Sequence, residues 1–115
     1  MNAETECIFC RIVRGEIPST KVFEDDRTLV FRDINPAAPT HLLAIPKRHV
    51  PRLSECGDGE RELLADLMLA AGRVAKQENL DSFRLIVNDG SGAGQTVFHL
   101  HAHILGGRTL TEKLL

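Results

Sequence analysis

The sequence contains no tryptophan and no tyrosine, and only five phenylalanines in 115 residues. Its core must therefore be built mostly from Leu, Ile, Val and Ala. No apolar run approaches the ~18 residues needed to span a bilayer, so no membrane partner is expected. Charge of one sign is lacking too. A net charge of −2 gives no global attraction to nucleic acid or to an anionic surface, and no nucleic-acid partner is expected. The first residues, Met1 to Ile12, show no basic segment followed by an apolar one, so no secretory signal is expected. Three cysteines, at 7, 10 and 56, are an odd set without such a signal. They fit reduced thiols in a cytoplasmic protein better than a disulfide framework. The length suits one domain, residues 1–115, able to bury a real core.

No internal repeat, low-complexity tract or linker interrupts the chain. Ile8, Phe9, Ile12 and Val13 follow helical spacing, and Gly15 and Pro18 end that short helix. Residues 20–25 and 27–33 read as strands around the Asp25-Asp26 turn, and residues 41–46 as a nearly all-apolar third strand closed by Pro46. From about Asp58 to Asn79, Leu63, Leu64, Leu67, Met68, Ala71 and Val74 form one apolar stripe of a long helix. Residues 83–88 read as a fourth strand, 88–96 as a glycine-rich loop, and 97–105 as a strictly alternating fifth strand ended by Gly106-Gly107. Helix, three strands, helix, two strands is not the alternating pattern of a parallel doubly wound sheet. The expected architecture is α+β: a five-stranded antiparallel sheet, one long helix and a short N-terminal helix, with the helices on one face.

Lys47, Arg48 and Arg52 cluster around His49; a solvated loop explains them more simply than a binding patch. Cys56 sits in a polar loop and receives no role.

The stretch FHLHAHILGG places His99, His101 and His103 at alternate positions. Successive strand side chains point to opposite faces. Val97, His99, His101, His103 and Leu105 should share one face, open at least in part, while Phe98, Leu100, Ala102 and Ile104 pack on the long helix. At ~3.3 Å rise per residue, neighbouring imidazoles start roughly 6.6 Å apart and the outer pair roughly 13 Å apart. One zinc, with ligands at about 2.0–2.1 Å, cannot be shared by all three on a regular strand. At least one imidazole is left for other work. The preceding loop, NDGSGAGQT, lets backbone N–H groups converge on an anion, although it is no Walker A loop. A phosphate beside a neutral, nucleophilic imidazole is the chemistry this pairing suggests.

These motifs resemble the histidine triad (HIT) superfamily, whose His-φ-His-φ-His-φ-φ signature (φ apolar) is matched by HLHAHIL. The resemblance covers nearly the whole chain and is closest to the Hint branch of small nucleotide-binding proteins. It implies the HIT-like fold, and a homodimeric purine-nucleoside phosphoramidase or nucleotidyl hydrolase. His101 would attack the α-phosphate and form a nucleotidyl-histidine. His103 would hold the phosphate, and His99 and His41 would orient the nucleophile. Asp33 would accept from the ribose hydroxyls, with Ile34 beside base and sugar. Asn88, Gly94, Gln95 and Thr96 would line the phosphate and leaving group. The long helix and the fifth strand are the candidates for pairing across a two-fold axis.

Cys7 and Cys10, three apart on a helical turn, share a face. Two thiolates need two more ligands for a closed zinc site, while a redox pair would need a βαβ setting that is absent. A buried pair of small residues is the plainer alternative. The resemblance offers His49 and His99 as the other ligands of a structural zinc, which leaves open whether His99 serves as ligand or as relay. The stretch GGRTLTEKLL lacks the Trp and Pro-Pro-Gly found in many Hint-branch tails, so leaving-group preference stays open. Two further readings remain: a dinucleoside-polyphosphate hydrolase, and a zinc-stabilised nucleotide-binding interaction module with little activity.

Overall fold

A computed structural model of the chain describes residues 6–112. Helix α1 (Ile8–Val13) is followed by strands β1 (Lys21–Glu24), β2 (Thr28–Arg32) and β3 (Thr40–Pro46), helix α2 (Arg61–Gln77), and strands β4 (Phe83–Ile86) and β5 (Ala102–Gly106). The strands form one antiparallel sheet in the order β1-β2-β3-β5-β4. Among the described residues, no helix is long and apolar enough to cross a membrane.

Local chemistry sets the turns. In the β1–β2 hairpin the Asp25 carboxylate accepts the N–H groups of Arg27 at 2.9 Å and Thr28 at 2.8 Å, an Asp-centred turn that mimics a backbone one. At the end of α2, Asn79 adopts a left-handed φ of 59°. The Leu80 N–H then reaches the Ala75 carbonyl at 2.9 Å and the Asn79 N–H reaches Lys76 at 3.0 Å. This double bond pattern satisfies the last carbonyls and sends the chain back into β4.

The helices do not share a face as the element order suggested. Helix α2 packs Leu67, Ala70, Ala71 and Val74 on Val30, Leu42, Ala44, Ala102 and Ile104. Helix α1 packs Phe9 and Ile12 on the opposite side, against Leu29, Phe31, Leu43 and Ile45. Alternation along β2 and β3 supplies both faces, since Leu29, Val30, Leu42, Leu43, Ala44 and Ile45 are all buried. On α2 the expected stripe holds at Leu63, Leu64, Leu67, Ala71 and Val74, all packed in this core, but not at Met68. Ala70 and Ala75 are buried while Met68 is 56% exposed, so the side toward the sheet is made largely of small residues.

Two corrections concern the histidine segment. The regular strand starts at Ala102, opposite Ala44 of β3, and residues 97–101 leave the ladder. Past Pro46 the neighbouring chain is no longer a strand, and the Leu100 N–H instead meets the Val50 carbonyl at 2.7 Å. The histidine face is open only in part, at Val97, His103 and Leu105. With α1 laid across it, His99 is 0% and His101 6% exposed, whereas Phe98, expected in the core, is 44% exposed. Strand β5 is central, between β3 and β4. It offers no free edge for the dimer contact expected of it; the sheet edges belong to β1 and β4.

Candidate active site and metal centre

His41 and His103 lie on adjacent antiparallel strands, where His41 faces Leu105 and Leu43 faces His103. They are thus diagonal neighbours on one sheet face, within reach of long side chains, and His41 Nε2 stands 2.9 Å from His103 Nδ1. The Ala37 N–H donates to His41 Nδ1 at 2.9 Å. That fixes the His41 proton on Nε2, from which it is donated to His103 Nδ1, and the neutral His103 must then carry its own proton on Nε2. The Asp33 carboxylate lies 3.4 Å from His41 Nε2. Its other oxygen accepts the Asn35 N–H at 2.7 Å, and the Asp33 N–H donates to the His41 carbonyl at 3.0 Å. The resemblance placed His41 beside the expected nucleophile. Its ring bonds go to Ala37 and His103 instead, so it orients His103.

His101 is oriented from within its own segment. Its Nδ1–H donates to the His99 carbonyl at 2.7 Å, so the neutral ring keeps its lone pair on Nε2. The Phe9 ring stands edge-on to it, with centroids 5.1 Å apart, and the His103 ring lies 5.1 Å away on another side. Burial lowers the pKa of His101, and that of His103 to about 4, with His101 and His41 adding to the effect. Burial also lowers His41, against the opposing pull of Asp33. Neutral imidazoles are the forms that the proton chain requires.

The His99 ring lies on the same face, 5.9 Å from the Phe9 ring, but its nitrogens turn to other partners. Its Nε2–H donates to the Pro46 carbonyl at 2.7 Å, which leaves Nδ1 bare toward Cys7 Sγ at 3.4 Å and Cys10 Sγ at 3.5 Å. His49 Nδ1 lies 3.3 Å from Cys10 Sγ. All four donor atoms, from Cys7, Cys10, His49 and His99, fall within 4.8 Å of one another. Two thiols and two imidazoles are a zinc-type donor set. The fixed His99 tautomer, with its outer nitrogen on a backbone carbonyl, is the usual support for a ligating histidine, and burial holds the His99 pKa down to about 4, so the ring stays neutral. His49 Nε2 is buried without a hydrogen-bond partner; otherwise the residues fit the metal. Asp33, His41 and His103 also bring donor atoms within 4.8 Å, but their hydrogen bonds to each other account for that proximity.

His99 therefore need not choose between its two expected tasks. Its imidazole faces the thiols, while its backbone carbonyl holds His101.

The glycine loop closes on itself. Gly90 and Gly94 take φ of 93° and 92°, in the region where only glycine is unstrained. The Gln95 side chain is buried and fully committed: Oε1 accepts the Gly90 N–H at 2.8 Å, and Nε2 donates to the carbonyls of Pro51 at 2.8 Å and Val97 at 3.1 Å. The Gln95 side chain thus braces the loop from within. Asn88 is half-buried and Thr96 exposed, and Asn88 Nδ2 lies beside Gly94. Ile34 is 92% exposed.

The basic cluster near His49 is neutralised piecewise. Lys47 pairs with Glu24 at 2.8 Å, Arg48 with Glu60 at 3.1 Å and Arg52 with Asp89 at 2.6 Å. Sequence reasoning missed the last pair, and also Phe9 as the cover of the histidines. Asp89 and Arg52 stand 37 positions apart, with no periodicity linking them. Phe9 gave a signal only as one apolar residue of a short helix.

A buried histidine cluster on an antiparallel α+β sheet, fed by a glycine loop, defines the class of protein. A HIT domain matches residues 14–110. The chain is similar to a HIT-like protein from Synechocystis, 51% identical over 90% of this chain and 91% of that one. It superposes on a HIT family hydrolase from Legionella pneumophila with a TM-score of 0.90, at 50% identity over 92% and 96% of the two chains. A zinc-bound histidine triad family protein from Mycobacterium smegmatis matches at 32% identity and TM-score 0.81, over 95% and 80%. A histidine triad nucleotide-binding protein from Candida albicans matches at 34% and 0.79, over 93% and 85%. The chain belongs to the HIT domain family.

Proposed function

We propose that this chain is a nucleotidyl hydrolase that cleaves purine-nucleoside phosphoramidates through a covalent intermediate on His101. The observation that carries the reading is the 2.7 Å bond from His101 Nδ1 to the His99 carbonyl. It keeps Nε2 free to attack, which is how a third group activates and aims a nucleophile. In the first step His101 Nε2 bonds to the α-phosphorus, the P–N bond breaks, and the departing amine takes up a proton. Water then attacks the same phosphorus, the P–Nε2 bond breaks, and the water's surplus proton is released. His103, with its proton on Nε2, donates to the phosphoryl oxygen as charge develops. Asp33 would receive the ribose hydroxyls, and the backbone of Asn88, Gly94, Gln95 and Thr96 would face the phosphate side. Cys7, Cys10, His49 and His99 would hold a zinc. A closed set of four protein ligands supplies folding energy rather than an open catalytic position. Reduced thiols suit a cytoplasmic setting.

The printed names of the relatives, hydrolase for the Legionella protein and nucleotide-binding for the Candida one, support the reading. It is tested by comparing kcat/KM on adenosine 5′-phosphoramidate and on a diadenosine polyphosphate. A preference of at least about tenfold, or 1.4 kcal/mol of transition-state binding, for the phosphoramidate is expected; the reverse preference would establish the dinucleoside-polyphosphate alternative.

We also infer a homodimer. Met68 and Leu69 on α2 and Phe83 on the edge strand β4 are large apolar groups left 56%, 58% and 41% exposed, which a second copy of the chain would cover. Sedimentation is expected at twice the chain mass of 12.7 kDa, and a Met68→Glu, Leu69→Glu variant at the single-chain mass. A wild type that sediments as one chain at micromolar concentration would remove the dimer.

A further inference from the structure

The glycine loop is held from outside by a segment that the catalytic reading does not use. Asp89 sits between Asn88 and Gly90, and its carboxylate is gripped by Arg52 and Ser54. Arg52 Nε and Nη2 both reach Oδ1 at 2.6 Å. The Ser54 N–H donates to Oδ2 at 2.7 Å and the Ser54 hydroxyl to Oδ1 at 3.2 Å. The bonds from Ser54 and Arg52 hold the carboxyl below its ordinary range, so it accepts as an anion. The same guanidinium lies against the loop backbone: a Cβ on Gly90 would fall 2.9 Å from Arg52 Nη2. Gly90 is in turn the hub of the loop. Its N–H goes to Gln95 Oε1, its carbonyl accepts the N–H groups of Ala93 and Gln95 at 3.1 Å each, and Gln95 reaches back to Pro51, next to Arg52. The contacts thus run in a closed circuit, Pro51-Arg52 to Asp89-Gly90 to Gln95 and back to Pro51.

We propose that Arg52 and Asp89 are a positioning pair that holds the 88–96 backbone in the geometry that receives the substrate's phosphate. The proposal rests on the nucleotidyl-hydrolase reading above. Two physical arguments favour positioning over general stability. The pair is part-exposed, with side chains 36% and 26% accessible, and ion pairs in such surroundings add little to global stability. The loop it grips is rich in glycine, which surrenders the most backbone freedom on ordering, so an external clamp decides how closely its N–H groups converge. Preorganised donors matter chiefly in the transition state, so the effect belongs in kcat.

The test uses the full chain carrying Arg52→Gln, Asp89→Asn, or both. It reads amide hydrogen exchange over 88–96, AMP affinity by calorimetry, kcat and KM on adenosine 5′-phosphoramidate, and the thermal midpoint. Each single variant is expected to speed exchange in the loop and to lower kcat about 10- to 100-fold, with KM changed less than about threefold and the thermal midpoint nearly unmoved. The double variant should be no worse than the poorer single one, because the pair acts as a unit. Arg52→Lys, which keeps the charge but not the two-pronged contact, should recover part of kcat. Variants with wild-type kcat overturn the proposal, whether or not loop exchange rises. So does a thermal collapse in step with the loss of kcat, which assigns the pair to the fold. Failure of the underlying reading looks different: a wild type that neither binds AMP nor turns over the probe.

Discussion

His101→Ala will lose turnover of adenosine 5′-phosphoramidate by a factor on the order of 10⁴ or more, as expected when a nucleophile is removed from a site whose groups act as a unit. The larger signature is qualitative. Acid-quenched wild type, caught early in the reaction, should carry one nucleotide per active chain on His101, and the variant none. Loss of activity without a trappable adduct would point to an in-line attack by water and sink the covalent step. The variant must be compared at equal folded fraction, because His101 is packed edge-on against Phe9 and is 6% exposed. His101→Gln provides a bulkier control for that packing. Equal, slow hydrolysis by wild type and His101→Ala would instead leave the interaction-module reading standing.

Chelation of the metal is the second large effect. If Cys7, Cys10, His49 and His99 hold zinc, the purified protein should contain roughly one zinc per chain. A ligand present at about a thousand times its dissociation constant stabilises the fold by about 4 kcal/mol. For a domain of this size that amounts to a fall of roughly 15–25 °C in thermal midpoint on stripping the metal. Cys10→Ser should reproduce the shift and make the protein insensitive to chelator. Zinc below ~0.2 per chain, with a midpoint indifferent to chelator, would reduce the cluster to hydrogen-bonded thiols and imidazoles. The stabilisation has a structural route: His99 is anchored by Pro46, Cys7 caps the start of α1 through the Cys10 N–H, and α1 is the cover of the histidine face.

Much of this architecture is legible in the chain. The turn residues Asp25 and Asn79, the apolar alternation of β2 and β3, and the period of α2 each follow from local rules. On α2 hydropathy picks out five residues that do pack on the sheet, but it includes Met68 and passes over Ala70 and Ala75, because close approach to the sheet selects by size. The strand assignment for 97–105 failed differently. Alternation there is real, but the ladder with β3 ends at the Ala44–Ala102 pair; further along, Pro46 has no N–H to donate and its carbonyl is taken by His99 Nε2–H. His99 and His101 keep the alternating directions without the ladder, which lets the His99 carbonyl turn toward the His101 ring.

The sequence by itself determined that an imidazole set, a glycine loop and a Cys-x-x-Cys pair would coexist on an antiparallel α+β scaffold, because residue type and period-two spacing are local properties. Only the tertiary structure decided how the histidines divide. Contacts spanning 62 residues for His41 and His103 and 92 for Cys7 and His99 are set by which strands neighbour each other and which face α1 covers, and no local pattern encodes either. The same holds for His99, whose ring serves one site and whose carbonyl serves the other: a hydrogen-bond direction is fixed only when the packed surroundings leave each polar group a single partner.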